Sequence, residues 1–418
     1  MPARLPLGVA IAAALVLAAP ARAAEDRHLA RALSVLEAAP LVDTHNDLPW
    51  VIREKFGGDA EGYDISVEAQ YDTDIPRLRE GKVGTQFWSV YVPSALSPEE
   101  SLRTQLEQID LARRMIAHYP DDLAYADSVA DIERAESEGR IASLMGIEGG
   151  HAIANSLGAL RAYYDLGVRY MTLTHFHTND WADSATDAAR HEGLHEFGKE
   201  VIREMNRLGM MVDLSHVSET TMHDVLDITE APVMYSHSSA RALTGHARNV
   251  PDAVLRRVAE NGGVVMVTFI PDFVNEERRI WASGLFDLLK DAKNDGDWNL
   301  IQEAYKQHNG EPPMATLGDV ADHIEHVAKV AGVQSVGIGG DFYGAEDAAD
   351  RIVGLEDVSK YPDLIAELAA RGWTDDDLRL LTRDNILRVF AEVERTAARI
   401  RRERPPSLKQ FSGESAGR

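Results

Sequence analysis

The chain has 418 residues, a formal net charge of −25, and 44% hydrophobic and 27% charged residues. That length allows one large domain or two ordinary ones, and so acidic a balance excludes a general nucleic-acid binder, because phosphates would be repelled. The absence of cysteine excludes disulfides, thiolate nucleophiles and thiolate metal ligands, so any metal must be held by His, Asp and Glu.

Residues 1–23 read as a signal peptide. Arg4 gives a positive start, Leu5 to Ala19 is almost wholly apolar, Pro20 breaks the run, and Ala21-Arg22-Ala23 fits a small-residue cleavage site. The run is short for a membrane span, and no cysteine follows it for lipid attachment. The expectation is an exported protein, periplasmic or secreted, with no stable membrane anchor in its mature form.

Leu29, Leu33 and Leu36 then mark a helix that Pro40 ends. Leu41 to Asp47 is a short buried strand ending in His45-Asn46-Asp47, an H-x-D spacing that turns an imidazole and a carboxylate to one face. Residues 51–80 are polar and Gly/Asp-rich and read as a loop. Thr85 to Val92 is the second strand. Ser97-Pro98-Glu99-Glu100 opens a long helix with a capping box and a Leu102, Leu106, Ile109, Ile116 stripe. Strands at Ile141–Glu148, Tyr170–His175, Met210–His216 and Pro232–His237 alternate with helices at 157–166, 198–208, 219–228 and 254–261. A strand at Gly263–Phe269 leads into a longer excursion with helices near 279–290 and 317–331. Ser335 to Asp341 is the last strand, and a helix from about Thr374 carries Leu378, Leu381, Ile386 and Val389.

Eight short strands, apolar on both faces and mostly alternating with helices, predict an α/β fold: a (β/α)8 TIM-type barrel forming a single catalytic domain over 24–400. No G-x-G-x-x-G turn follows the first strand, which counts against a dinucleotide fold. Residues 401–418, Pro/Ser/Gly-rich from Pro405, read as a flexible tail.

Active sites of such barrels lie at the C-terminal strand ends. There stand His45 and Asp47, Glu148, His175, His216, His237 and Asp341. Singly, each has an ordinary structural reading: Glu148 as a cap carboxylate before Gly149-Gly150, each histidine as a satisfied buried ring, Asp341 as a turn residue after Gly339-Gly340. Together, at equivalent ends of different strands, they read as a metal site. His45, Asp47, Glu148, His216 and His237 exceed the three ligands of a single catalytic zinc. They suit two metals roughly 3.5–4 Å apart. Glu148 would bridge, with His45 and Asp47 on one metal and His216 and His237 on the other. A water between two cations is acidified and becomes the nucleophile. Asp341 would then shuttle its proton to the leaving amine, and His175 would polarise the carbonyl. Arg248, just past the His237 strand, reads either as a surface salt bridge or as a bidentate clamp for a substrate carboxylate.

The motifs HNDLP at 45–49, TQFWSVY at 85–91, GIEGGH at 146–151, YMTLTH at 170–175, DLSHVS at 213–218, SHSSAR at 236–241, RNVPD at 248–252, GIGGDFYG at 337–344 and LEDVSKYPDL at 355–364 closely resemble the membrane (renal) dipeptidase family of zinc peptidases. The resemblance runs from about residue 30 to 395. It implies a barrel with two Zn2+ per chain, with His45, Asp47, Glu148, His216 and His237 as ligands and Glu148 bridging. It further implies His175, Arg248 and Asp341 as catalytic or substrate-binding residues, and dipeptide substrates with a free C-terminal carboxylate, including D-residues at the second position. A homodimer is also implied, without an intersubunit disulfide in this cysteine-free chain. Tyr343 replaces an Asp usual in mammalian members, the 177–184 loop differs, and residues 270–315 form an insertion; these departures bear on substrate preference. The alternatives are another amidohydrolase-type enzyme, such as an N-acyl amino acid hydrolase or lactonase, or a catalytically silent periplasmic binding protein. The silent protein would have lost a strand-end ligand or Asp341, and neither is lost.

Overall fold

The computed structural model describes residues 26–289 and 295–412; the expected signal peptide lies outside them. The described residues form nine parallel strands: β1 Leu41–Asn46, β2 Val83–Ser89, β3 Leu123–Tyr125, β4 Ile141–Glu148, β5 Val168–Thr172, β6 Met211–Asp213, β7 Met234–Tyr235, β8 Val264–Val267 and β9 Val336–Ile338. Eight of them close a barrel in the order β2-β1-β9-β8-β7-β6-β5-β4, with β4 pairing back onto β2 through Thr85↔Ala142 to Ser89↔Gly146. The strand not anticipated, β3, is three residues long and lies beside the start of β4, on the flank that β5 occupies farther up.

One apolar cluster takes Val42, Phe87, Leu144, Tyr170, Met211, Met234 and Met266 from seven of the barrel strands, together with Ile386, Val389 and Phe390 of helix Asn385–Glu403. These alternate positions fill the interior, and the last helix closes its lower end. The larger cluster lies between the strands and the surrounding helices. This two-layer burial is why each strand is apolar on both faces.

Three expectations need correction. Residues 51–80 are not all loop: helix Leu48–Phe56 begins directly after the first strand, with Pro49 in its first turn, and Ile75–Glu80 is a second short helix. Pro is tolerated there because the first helical amides lack intrahelical partners anyway. The excursion holds helix Asp295–Asn309 besides Glu276–Leu289 and Leu317–Ala331. The segment read as a loose tail is held as far as Phe411: the Ser407 hydroxyl donates to Glu200 at 2.9 Å, and Phe411 stacks edge-on against Phe197. Among the described residues, no helix is long and apolar enough to cross a membrane.

Candidate metal centre

The strands deliver their polar ends to one rim. His45 lies within β1, at its last turn of pleat, and Glu148 is the final residue of β4. His175, His216, His237 and Asp341 follow β5, β6, β7 and β9 by two or three residues. Asp47 occupies the N-cap position of helix Leu48–Phe56 but makes no side-chain cap. The Asn46 carboxamide oxygen accepts from the Leu48 amide instead, at 3.0 Å, which leaves the Asp47 carboxylate free to face the site. His216 and Asp341 have left-handed backbones, φ 68° and 61°. His and Asp are among the few side chains that tolerate this region, and such strain concentrates at functional sites.

Glu148 stands between two groups of ligand atoms. Its Oε2 is 3.7 Å from His45 Nε2, which is 3.6 Å from Asp47 Oδ2. Its Oε1 is 3.0 Å from His216 Nε2 and 3.3 Å from His237 Nε2. His45, Asp47 and Glu148 form one group whose ligand atoms lie within 4.8 Å of one another; Glu148, His216 and His237 form a second. A third group, His45, His237 and Asp341, was not anticipated: Asp341 Oδ1 lies 3.8 Å from His45 Nε2, close enough to serve as a ligand itself.

The donors fit a cation chemically. His45 Nε2 and Asp47 Oδ1 are buried without a hydrogen-bond partner, a costly state for polar atoms inside a protein. The Nε2 atoms of His216 and His237 point at one another across 3.0 Å. With hard oxygen donors and imidazoles and no sulfur, the set suits zinc or a similar divalent ion. Behind the rings, His45 Nδ1 lies 2.9 Å from the Tyr170 hydroxyl and His237 Nδ1 2.8 Å from the Ser236 hydroxyl, fixing each ring with Nε2 toward the site. The ring of Tyr170 belongs to the interior cluster, and a Cβ on Gly146 would fall 1.9 Å from it.

Burial sets the protonation. It pushes His175 down to about 4 and drives His216 and His237 well below the ordinary histidine range, so all three are neutral ligands or hydrogen-bonding groups. Burial also raises the Asp341 carboxyl to about 7, with Asp47 and Glu148 adding repulsion against the attraction of His45.

Arg248 is no surface salt bridge. It is 1% exposed, and no carboxylate ion-pairs with it among the described residues. Its Nη1 and Nη2 reach only Ser238 Oγ at 3.4 Å and the His237 carbonyl at 3.3 Å, while Nε has no partner. Burial lowers its pKa to about 10. Phe273, from the 270–315 insertion, lies under the guanidinium at 5.3 Å. Trp50, Tyr91, His175 and Phe176 form a run of contacting rings, and Tyr343 is 41% exposed two residues beyond Asp341. The residues that sequence reasoning passed over are Asp43, Tyr170, Asp213 and Ser236. Their one signal is a carboxylate within a strand segment, Asp43 in β1 and Asp213 at the end of β6.

A family model described as membrane dipeptidase, peptidase family M19, matches residues 29–404. Among solved structures, the probable dipeptidase PvdM from Pseudomonas aeruginosa superposes with a TM-score of 0.78 at 23% identity, covering 89% of this chain and 100% of that one. A metallo peptidase from Rhodobacter sphaeroides, liganded with a phosphinate mimic of the dipeptide L-Ala-D-Ala, gives 0.71 at 23% identity over 85% and 99%. The dipeptidase AC, a metallo peptidase of family M19, gives 0.70 at 24% identity over 85% and 98%. At these identities the structural likenesses speak for the fold; the match over residues 29–404 speaks for the family.

Proposed function

This chain belongs to the membrane dipeptidase family of metallopeptidases, and on that premise we propose that it is a binuclear-zinc dipeptidase acting on dipeptides with a free C-terminal carboxylate. The observation that carries this reading is Glu148, whose two oxygens face two separate ligand groups. His45 and Asp47 would hold one zinc, His216 and His237 the other, and Glu148 both. Bound metal would supply the Lewis acidity that acidifies the attacking water and polarises the scissile carbonyl.

The protein's own groups do the rest. Arg248, buried and without a carboxylate partner among the described residues, receives the substrate carboxylate; a guanidinium so placed rewards an anion strongly. Neutral His175, its Nε2 3.6 Å from Glu148 Oε1, donates toward the carbonyl oxygen as charge builds on it. Asp341, its Oδ1 3.8 Å from His45 Nε2 at the rim, takes the proton from the attacking water and hands it to the departing amine. Tolerance of a D-residue at the second position is supported by the L-Ala-D-Ala mimic on the Rhodobacter sphaeroides protein. Cell-wall turnover products of L,D configuration are then candidate substrates in the periplasm, which the leader-like residues 1–23 favour as the compartment. A homodimer, which the family resemblance implies, completes this reading.

The test is a panel of L,L- and L,D-dipeptides and their C-terminal amides, assayed on purified protein with metal content measured alongside. Two zinc equivalents, chelator-sensitive release of two amino acids and poor cleavage of the amides are expected. Equal turnover of acids and amides would remove Arg248 from its role.

A further inference from the structure

Two wholly buried carboxylates outside the ligand set hold matching positions beneath the rim. Asp213, ending β6, accepts from the backbone amides of Ser215 at 3.0 Å and Ser236 at 2.8 Å, from the Ser236 hydroxyl at 2.6 Å, and from the Thr172 hydroxyl. Asp43, in β1, accepts from the amides of His45 at 3.2 Å and Gly340 at 2.9 Å and from the Tyr361 hydroxyl at 2.7 Å. In each case one of the held amides directly precedes a left-handed site residue: Ser215 before His216, Gly340 before Asp341. Those are the backbone conformations most in need of an external hold.

The two approach from different layers. Asp213 shares the strand face of Met211, in the interior cluster, whereas Asp43 shares the face of Leu41 and meets Tyr361 in the outer one. Among the described residues neither makes an ion pair. Burying a carboxylate with no cation is a poor way to stabilise a fold, and every group that these two hold is a barrel-end amide or a hydroxyl next to the site.

Their reach differs. Asp213 is linked to a ring: the Ser236 hydroxyl that it holds is the group beside His237 Nδ1. Asp43 holds no imidazole-bound group among the described residues. It ties the backbone of His45 to that of Gly340, and the Asp341 amide completes the clasp by donating to the His45 carbonyl at 3.0 Å.

We propose that Asp43 and Asp213 are paired positioning residues with divided roles. Asp213 sets the metal affinity of the Glu148, His216 and His237 half, and Asp43 sets the placement of Asp341 and therefore turnover. The inference rests on the two-metal dipeptidase reading.

The experiment uses the full mature protein and compares Asp213→Asn, Ser236→Ala, Asp43→Asn and Tyr361→Phe with wild type. Zinc binding is read by competition with a chromogenic chelator, which needs no turnover, and kcat and KM are read on one dipeptide. Asp213→Asn and Ser236→Ala should weaken one of the two zinc equivalents by roughly 10- to 100-fold, the usual effect of a lost outer partner. Asp43→Asn and Tyr361→Phe should keep both equivalents yet lower kcat by about tenfold or more with KM little changed, as misplacement of a reacting group does. Wild-type zinc affinity in Asp213→Asn and Ser236→Ala overturns the proposal, as does wild-type kcat in Asp43→Asn and Tyr361→Phe, whatever the melting temperature does. Should either Asp variant fail to fold, the hydroxyl deletions Ser236→Ala and Tyr361→Phe decide on the same readings. A wild-type protein that binds one equivalent, or cleaves no dipeptide, defeats the functional reading by itself before any variant is compared.

Discussion

Low in the barrel, Val42, Phe87, Leu144, Met211 and Met266 fill the interior, and Phe390 of the last helix faces Phe87 at 6.5 Å. A few residues higher on the same strands stand imidazoles and carboxylates, several with unpartnered buried atoms and two on left-handed backbones. The lower region packs as an apolar core. The upper region gathers the candidate ligand and proton-transfer groups. The contrast teaches that the strain of the rim is held in place by the plug below it.

Substitutions at each level should therefore separate activity from stability. The largest effect on activity belongs to Glu148→Gln, which removes a donor common to both ligand groups. Zinc content should fall and turnover should drop beyond the roughly 10²–10³-fold that losing one stabilising group costs. Retention of two equivalents by that variant would break the bridging assignment. Next comes Asp341→Asn, which should lower kcat by roughly 10²–10⁴-fold, the range for a lost proton-transfer group. Because Asp341 also lies within ligand range of His45 and His237, metal analysis of this variant sharpens the picture: two bound zincs assign it to proton transfer, and fewer assign it to the metal shell. The smallest effect on activity belongs to Phe390→Ala, in the last helix at the foot of the plug, whose ring meets Phe87. It should reduce unfolding free energy by about 3–5 kcal/mol in denaturant titration while leaving kcat/KM per folded molecule close to wild type.

Much of this was legible beforehand, for physical reasons. Short runs apolar on both faces betray strands covered on two sides, so all eight barrel strands could be read, including β7, where only Met234 and Tyr235 keep regular pairing. The three-residue β3 is too short to show a period. Helix Leu48–Phe56 was hidden because it starts directly from the strand through Leu48-Pro49, where a turn was equally plausible. The rim residues were visible as polar endings on apolar strands. Arg248 was ambiguous because nothing in a sequence tells a buried cation from a solvated one; only its 1% exposure and the lack of a carboxylate partner among the described residues decide it. Asp43 and Asp213 are visible as carboxylates in strand segments, but the amides and hydroxyls that they hold come from distant parts of the chain, which spacing does not register.

Tyr170 joins the two regions in one side chain, its ring wedged in the interior with no room at Gly146 and its hydroxyl on His45. Warming that loosens the interior should tilt this ring before any helix melts. Zinc release on a temperature ramp, followed with an indicator dye, is then expected to begin some degrees below the loss of far-ultraviolet circular dichroism, so activity should be lost on heating before the fold is.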